Sequence, residues 1–282
     1  MNIRETLSSI RRKPLPLALA LVAAGGAALG AWYLKRESPP RLLSESGRAA
    51  FLAELQPVTL KNCTLRRFGG ANDGGYLICD NLSEGVQSSY YYGVGPNDEF
   101  ACDVSKRYRV PAHQYDCFDP ARPVCQGGDF KFNNECIGPA PMRDKEGRVF
   151  DSLKNHIARN GDTDKRLMVK IDVEGAEWES LLATPDAVLD QIDQMPMELH
   201  VPAGANTRHV EALRKLKRRF HVVNLHFNNY ACVPGMKPLP SWAFQVLLVN
   251  KRLGAIDPAA PAPAPMSPLN APDNPQGPDC QL

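Results

Sequence analysis

The sequence has 282 residues, a hydrophobic content of 43% and a formal net charge of +2. This length suffices for one good-sized domain with extensions, and the nearly balanced charge gives no indication of a nucleic-acid partner. The eight cysteines include no CxxC pair, which argues against a structural zinc site. Disulfides in an oxidising compartment and reduced, buried thiols both fit this cysteine content, and the sequence does not give the pairing.

Residues 1–13 are polar and basic, and residues 14–34 are uncharged and rich in Leu, Ala and Val. About 20 apolar residues cross a bilayer as a helix, and Trp32 and Tyr33 stand where interfacial aromatics belong. We therefore predict a single-pass membrane protein with a signal-anchor at 14–34. A signal peptide cleaved near Gly30 is the alternative. Basic residues flank both ends, so the sequence does not choose between the cytosolic face and the secretory lumen.

Residues 35–60 are predicted to form a linker with a short helix at 49–55. Residues 254–282 contain Pro-Ala repeats and no basic residue. Such a composition cannot build a core, so we predict a disordered tail. The folded domain is thereby placed at 61–253.

Apolar runs and amphipathic runs alternate through this domain. The predicted strands are 88–92, 113–118, 130–137, 167–171, 194–199, 220–226 and 244–250. The predicted helices are 99–107, 150–159, 177–182 and 207–219. This alternation predicts an α/β fold with a doubly wound parallel sheet that carries helices on both faces.

Two glycines, Gly93 and Gly95, follow the first of these strands. Glycines at this point let the backbone approach a bound nucleotide closely. The run is not GxGxxG, because Asp98 takes the third glycine position and Pro96 interrupts the turn, which argues against NAD. We predict Gly93, Gly95 and Asn97 as cofactor contacts. A simple strand-to-helix turn is the alternative.

Asp119 closes the second strand and precedes a proline. A carboxylate at this tip accepts hydrogen bonds from a ribose diol in dinucleotide-binding sheets. Asp116 is placed inside the strand and interpreted as a neighbour. The alternative for Asp119 is an ordinary Asp-Pro turn.

Asp172 follows the buried strand 167–171, and Glu198 and His200 share one face at the end of the next strand. Parallel strands end at one edge of a sheet, so we expect the three side chains to converge. They are predicted as catalytic groups, with a carboxylate or imidazole as general base, or as ligands of a divalent metal ion. A satisfied polar pair at the sheet edge is the alternative.

Four motifs together resemble FkbM-like S-adenosylmethionine-dependent methyltransferases, over residues 64–250. The run 169–177, Val-Lys-Ile-Asp-Val-Glu-Gly-Ala-Glu, resembles the family signature. Residues 150–153 resemble its Leu-Asp-x-Leu stretch, and 196–200 its fifth-strand Glu-x-His. Residues 67–76 resemble the entry segment of methyltransferase-like proteins that are often membrane-anchored. The motif residues outside the predicted catalytic set are Lys170, Glu174, Gly175, Glu177, Asp73 and Tyr76.

The resemblance implies a class I methyltransferase fold, which is Rossmann-like with seven strands. It implies S-adenosylmethionine bound at Gly93, Gly95 and Asp119, and O-methylation of a sugar, a glycan or a small molecule. Two rival hypotheses remain. One is a nucleotide-using Rossmann enzyme, against which the missing third glycine counts, and the other is a catalytically inactive, membrane-tethered binding module.

Overall fold

The computed structural model describes residues 40–119, 122–261 and 269–280. The strands are β1 (Leu65–Gly69), β2 (Gly75–Cys79), β3 (Ser88–Tyr92), β4 (Pro111–Tyr115), β5 (Asp129–Asn133), β6 (Cys136–Ile137), β7 (Met142–Arg143), β8 (Val149–Asp151), β9 (Leu167–Ile171), β10 (Ile192–His200), β11 (Phe220–Phe227) and β12 (Ala243–Asn250). The helices are α1 (Glu45–Glu54), α2 (Glu99–Tyr108), α3 (Leu153–Arg159), α4 (Glu177–Ala183), α5 (Asp186–Gln191) and α6 (Thr207–Lys217).

Seven strands form the main sheet in the order β11-β12-β10-β9-β3-β4-β5. The predicted α/β fold is therefore confirmed, but the prediction of a parallel sheet is wrong for one strand. β12 runs antiparallel to both β10 and β11. The segment between β11 and β12 contains only a short 3₁₀ turn, and without a crossover helix the returning strand must run in the opposite direction.

The two faces of this sheet are covered by different kinds of structure. Tyr90 and Tyr92 of β3 face a core that receives buried side chains from α1, α3, α4, α5 and α6. Tyr91 faces the opposite core, where α2 packs beside the hairpin β1–β2. Side chains alternate across a strand, so one strand supplies both cores. Helices on both faces were predicted, but the hairpin takes much of the second face.

Local sequence explains where α2 and α6 begin. Asp98 caps α2 by accepting a hydrogen bond from the Ala101 N–H at 3.0 Å. Asn206 caps α6 in a capping box with His209. Such caps satisfy amide groups that have no partner inside the helix.

Several predicted boundaries change. β4 ends at Tyr115 and not at 118. The predicted strand 130–137 divides into β5 and β6, and the start of the predicted helix 150–159 is strand β8. Ser152 then caps α3, because its hydroxyl accepts a hydrogen bond from the Asn155 N–H. β6, β7 and β8 form a small separate sheet, which periodicity in the main domain did not indicate.

The folded unit is larger than predicted, because the compact unit that begins at Arg41 also includes the described residues 254–261 and 269–280. The predicted linker is wrong from residue 41 onward, since Phe51 of α1 and Leu55 are buried in the core. The predicted signal-anchor at 14–34 and the basic segment 1–13 lie outside the described residues. Within the described part of the chain, no helix combines the length and apolar character needed to cross a bilayer.

The predicted disorder of the tail is wrong for residues 269–280, here called the strap. Asn229, after β11, donates its side-chain amide to the carbonyls of Asn274, Gly277 and Pro278 at 2.9, 3.1 and 3.2 Å. Polar contacts and a disulfide thus hold a segment that has too few apolar residues to bury.

All eight cysteines form disulfides: Cys63–Cys79, Cys102–Cys125, Cys117–Cys136 and Cys232–Cys280. The alternative of reduced thiols, which the sequence left open, is therefore not realised. The last of these bonds fastens the strap to the connection between β11 and β12.

Candidate active site

A cleft of about 560 Å³ opens at the carboxyl edge of β3, β4 and β9. This is the edge where open α/β sheets bind their ligands. Its lining includes Gly93, Gly95, Asp119 and Asp172. Asn97, the third predicted cofactor contact of the loop, is exposed at the surface and is not part of this lining among the described residues.

Gly93 has a conformation and a neighbour that require glycine. Its φ is +73°, and a Cβ placed there would stand 1.7 Å from the backbone oxygen of Asp172. Gly95 differs, because a Cβ there would meet nothing within 4 Å. Gly93 thus lets the β3 loop pack against the end of β9, and Gly95 leaves an open floor in the cleft.

The two aspartates after β4 have different roles. Asp116 is not inside the strand, which ends one residue earlier, and its carboxylate accepts hydrogen bonds from the N–H groups of Val94, Phe118 and Asp119 at 3.1, 2.8 and 2.9 Å. These contacts brace the two loops that frame the cleft. Asp119, held half-buried by this brace, presents its side chain to the cleft.

The outer part of the cleft is an apolar slot that the sequence analysis did not identify. It is lined by Phe118, Ile137 and Phe150, and the two phenylalanine rings meet edge to face with centroids 6.5 Å apart. The guanidinium of Arg148 lies 4.0 Å from the Phe118 ring centroid. The small sheet β6–β8 supplies two of these residues, Ile137 and Phe150. The slot could not be predicted, because the hydrophobic periodicity of the sequence did not indicate this sheet.

Asp172 is the centre of a polar cluster at the inner end of the cleft. Its Oδ2 accepts hydrogen bonds from the Tyr76 hydroxyl at 2.9 Å and from Lys170 Nζ at 3.2 Å. Lys170 Nζ also donates to the Gly93 carbonyl at 2.8 Å. Tyr76 and Lys170, which the motifs singled out, therefore hold the carboxylate in place and tie β9 to the glycine loop.

The predicted catalytic residues Asp172, Glu198 and His200 come together in the structure. His200 Nε2 lies 3.8 Å from Asp172 Oδ1 and 3.7 Å from Glu198 Oε1. Glu198 also accepts a hydrogen bond from the Asn228 side-chain amide at 2.7 Å. Their convergence follows from the shared edge of β9 and β10, and their roles stay a prediction.

Glu177 is buried at the start of α4 and contacts His200 from behind. Its Oε1 accepts a hydrogen bond from the His200 N–H at 2.6 Å and lies 3.4 Å from Nδ1, while Oε2 accepts from the Gly175 N–H at 2.8 Å. Glu174, between these motif residues, has φ +55° and an exposed side chain. The motif therefore forms a turn in which the Glu177 carboxylate is buried and the Glu174 carboxylate is exposed to solvent.

Burial and neighbouring charges shift the pKa values of Glu198 and His200 at the end of β10. Burial alone would lower the pKa of His200, but the carboxylates of Glu177, Asp172 and Glu198 outweigh it and raise the pKa to about 9. Burial, with the nearby Asp172 carboxylate, raises the pKa of Glu198 to about 8. At neutral pH these shifts favour a protonated His200 between Asp172 and Glu177, and the raised pKa of Glu198 favours its protonated form.

A metal ion could be held by a set that differs slightly from the predicted one. Ligand atoms of Asp172, Glu174 and His200 lie within 4.8 Å of one another. Carboxylates and imidazole suit several divalent ions. The retained proton of His200 would have to leave before its nitrogen could bind a metal.

The strap adds a carboxylate to the neighbourhood of this cluster. Asp273 is only 1% exposed, and its Oδ1 accepts a hydrogen bond from the Gln245 side chain at 2.9 Å. Its Oδ2 lies 3.6 Å from Nδ1 of His226. Burial, together with the carboxylates of Asp73, Asp279 and Asp172, raises the pKa of Asp273 to about 7 against the opposing charge of Arg67. Only the disulfide pairing could have revealed this residue from the sequence.

The β1–β2 turn approaches the strap from the other side. Asp73 is exposed in this turn, and the Asn72 side chain donates a hydrogen bond to the Pro272 carbonyl at 2.8 Å. The turn and the strap are thus in direct contact.

No family model matches the chain, and no curated protein matches it, so the FkbM-like resemblance rests on the motifs alone. Among solved structures, a predicted O-methyltransferase from Agrobacterium tumefaciens matches with a TM-score of 0.35 and 10% identity, over 61% of this chain and 80% of its own. An rRNA methylase from Streptococcus thermophilus matches with a TM-score of 0.33 and 9% identity, over 61% and 92%. Likeness at these scores carries no argument, and the fold rests on the strand order itself.

Proposed function

We propose that the protein is an S-adenosylmethionine-dependent methyltransferase that transfers the methyl group to a hydroxyl oxygen. The observation that carries the proposal is the pairing of Asp119 with the Gly93–Gly95 floor in one cleft that ends at Asp172. The seven-stranded sheet with a single antiparallel strand supports the class I methyltransferase fold that the motifs implied.

The cleft fits the proposed cofactor in three parts. Asp119 would accept hydrogen bonds from the ribose diol, and the apolar slot of Phe118, Ile137 and Phe150 would take the adenine. The open floor at Gly95 leaves room for the methionine part. Bound in this way, the cofactor supplies a methyl group on a positively charged sulfur.

Asp172 is the general base of the proposed mechanism. With the cofactor bound, the acceptor oxygen would form its bond to the methyl carbon as the carbon–sulfur bond breaks, and the electron pair of that bond would stay on sulfur. The hydroxyl proton passes to Asp172, whose carboxylate is already fixed by Tyr76 and Lys170. The raised pKa of His200 favours its protonated form, in which it would balance the negative charge of Asp172 and Glu177.

In the alternative mechanism, the acceptor hydroxyl is activated by a divalent ion held by Asp172 and His200, with either Glu174 or the predicted Glu198 as the third ligand. Such an ion would lower the pKa of the acceptor hydroxyl as a Lewis acid. Assays with and without added Mg²⁺ or Mn²⁺ distinguish the two versions.

We also propose that the folded domain stands in an oxidising compartment and is held to the membrane by the segment 14–34. The four disulfides support an oxidising compartment, because cytosolic proteins seldom keep disulfide bonds. S-adenosylmethionine would then have to be supplied across the membrane. Protease protection of the domain in sealed vesicles tests this arrangement, and digestion from the cytosolic side contradicts it.

The first test of function is calorimetric titration of the full-length chain with S-adenosylhomocysteine. We expect micromolar binding that Asp119→Ala weakens about 30-fold, since two hydrogen bonds are lost. Asp129→Ala, an exposed aspartate on β5, is the matched control and should bind normally. A folded chain that does not bind would favour the inactive binding module.

The second test uses Asp172→Asn in an acceptor screen. This variant keeps the cofactor cleft but loses the base and the metal ligand, so we expect normal binding of S-adenosylhomocysteine and no methyl transfer. Full activity of the variant would contradict both versions of the mechanism.

A further inference from the structure

The hairpin β1–β2 is flanked by two sequons of the form Asn-x-Ser/Thr. The first sequon is Asn62-Cys63-Thr64, just before β1, the second is Asn81-Leu82-Ser83, just after β2, and the sequence contains no third. An asparagine in this setting, with a residue other than proline after it, is the acceptor of N-linked glycans in secreted proteins. Such sequons also occur by chance, so the geometry around each one decides whether it can be used.

Both asparagines stand at the open end of the hairpin. The two strands pair antiparallel, and the turn that contacts the strap lies at the opposite end. Five residues of each strand, at about 3.4 Å per residue, separate the two ends. The described lining of the cofactor cleft includes neither Asn62 nor Asn81. A bulky group at the open end therefore stands away from the turn and the strap.

The side chain of Asn62 allows a substituent in the folded chain. Asn62 and Thr64 are both exposed. Nδ2 of Asn62 donates a hydrogen bond to the Leu253 carbonyl at 2.8 Å, and its Oδ1 accepts one from the Ala255 N–H at 2.9 Å. An amide nitrogen carries two hydrogens, and the contact with Leu253 needs only one of them. The other hydrogen can therefore be replaced by a sugar carbon.

The second sequon differs in its hydroxyl residue. Ser83 is 0% exposed, and its Oγ donates a hydrogen bond to the Cys79 carbonyl at 3.1 Å. Asn81 itself holds the first sequon in place, because Nδ2 donates to the Asn62 carbonyl at 2.9 Å and Oδ1 accepts from the Thr64 N–H at 2.8 Å. In the folded chain, Asn62 is therefore the asparagine whose sequon keeps its hydroxyl residue at the surface.

We propose that Asn62 is a site of N-linked glycosylation. Its Nδ2 forms a bond to the anomeric carbon of a lipid-linked oligosaccharide, in a reaction catalysed by an oligosaccharyltransferase of the host membrane. The bond from this carbon to the lipid pyrophosphate breaks, the pyrophosphate keeps the electron pair, and the nitrogen loses one hydrogen as a proton. The inference rests on the proposed oxidising compartment, since disulfide formation and this transfer take place on the same side of a membrane.

The test is mass spectrometry of the full-length chain, produced in cultured animal cells, before and after treatment with an amidase that releases N-linked glycans. Trypsin cuts after Lys61 and Arg66, so the reduced and alkylated peptide 62–66 isolates this asparagine. We expect the bare peptide to appear only after release, with aspartate in place of Asn62, because the amidase hydrolyses the amide. An untreated sample that contains only the peptide with unmodified asparagine would overturn the proposal.

Thr64→Val removes the hydroxyl of the sequon and keeps the Asn62 side chain with both of its hydrogen bonds, so we expect the glycan to be lost. Thr64→Ser retains a hydroxyl and is the matched control, in which the glycan should remain. Both changes are at an exposed position and should leave the unfolding midpoint nearly unchanged. A glycan that persists in Thr64→Val, or is lost equally in both variants, would overturn the proposal.

The state of the cysteines separates this inference from the proposed compartment. A chain with four disulfides and no glycan on Asn62 rejects the modification alone. A chain with reduced cysteines and no glycan rejects the oxidising compartment and the modification with it. The methyltransferase function is judged independently, by binding of S-adenosylhomocysteine.

Discussion

The carboxylate of Glu177 contacts His200 twice, accepting a hydrogen bond from its backbone N–H at 2.6 Å and lying 3.4 Å from Nδ1 of its ring. One buried side chain thus fixes the end of β10 and the charge of the imidazole. The sequence motif that contains Glu177 therefore positions His200.

Glu177→Gln should lower the pKa of His200 and destabilise the fold. The His200 pKa is about 9 in the folded chain against 6.5 for an ordinary histidine, so its stabilising contribution is fully present below pH 6.5 and lost as the pH rises through about 9. At pH 6 the free energy of unfolding of the variant should be about 3 kcal/mol lower than that of the wild type. At pH 10 the two proteins should differ much less. Urea denaturation at the two pH values measures this, with NMR titration of the imidazole. A difference that does not depend on pH would contradict the assigned charge.

Gly93→Ala should destabilise the protein, whereas Gly95→Ala should not. The first places a Cβ 1.7 Å from the Asp172 carbonyl oxygen at a φ of +73°, and the second meets nothing within 4 Å. We expect a loss of about 3 kcal/mol in the free energy of unfolding for Gly93→Ala and less than about 1 kcal/mol for Gly95→Ala. Equal unfolding midpoints for the two variants would show that the β3 loop can move away from β9.

Cys280→Ser should release the strap. The disulfide Cys232–Cys280 has a sequence separation of 48 residues, and a loop of this size corresponds to about 4 kcal/mol in the chain-entropy description. We expect lower stability and faster hydrogen exchange in residues 269–280. Reduction of the wild type offers no clean control, because it opens all four bonds, so Cys232→Ser/Cys280→Ser is the comparison. The double variant should match the single one, and unchanged exchange would mean that the asparagine contacts suffice.

Asp273→Asn should change how stability depends on pH. The Asp273 pKa is about 7 in the folded chain and 3.8 when unperturbed, so the folded state binds the extra proton. Stability contributed by this proton is present below pH 3.8 and is lost as the pH rises to about 7. Relative to wild type, the variant should therefore gain stability between pH 5 and pH 8. Denaturant midpoints at these two pH values measure the gain, and a constant difference would contradict the raised pKa.

Much of the sheet could be predicted because its strands obey simple rules. β3 and β9 occupy the ranges expected from the alternation of strand-like and helix-like runs, and every residue of both is buried. The meeting of Asp172, Glu198 and His200 followed from the shared edge of parallel strands. These arguments are local or topological, so they need no knowledge of long-range pairing.

The strap and the small sheet could not be predicted in the same way. Proline and alanine in the tail indicate disorder when hydrophobic burial is the only stabilising term considered. The strap is instead held by a disulfide and by the side chain of Asn229. Cysteine pairing does not follow from composition or spacing, so Asp273 and its effect on the polar cluster were hidden with it.

The placement of Asp273 makes the order of synthesis matter for this protein. Every element of the main sheet is complete by Asn250, whereas Asp273 and the disulfide to Cys232 come later in the chain. Chains are made from the amino end, and earlier segments fold while later ones are still emerging. The nascent domain must therefore keep Cys232 available, and an oxidising enzyme that caps or mispairs this thiol too early would yield a folded sheet with an unfinished site.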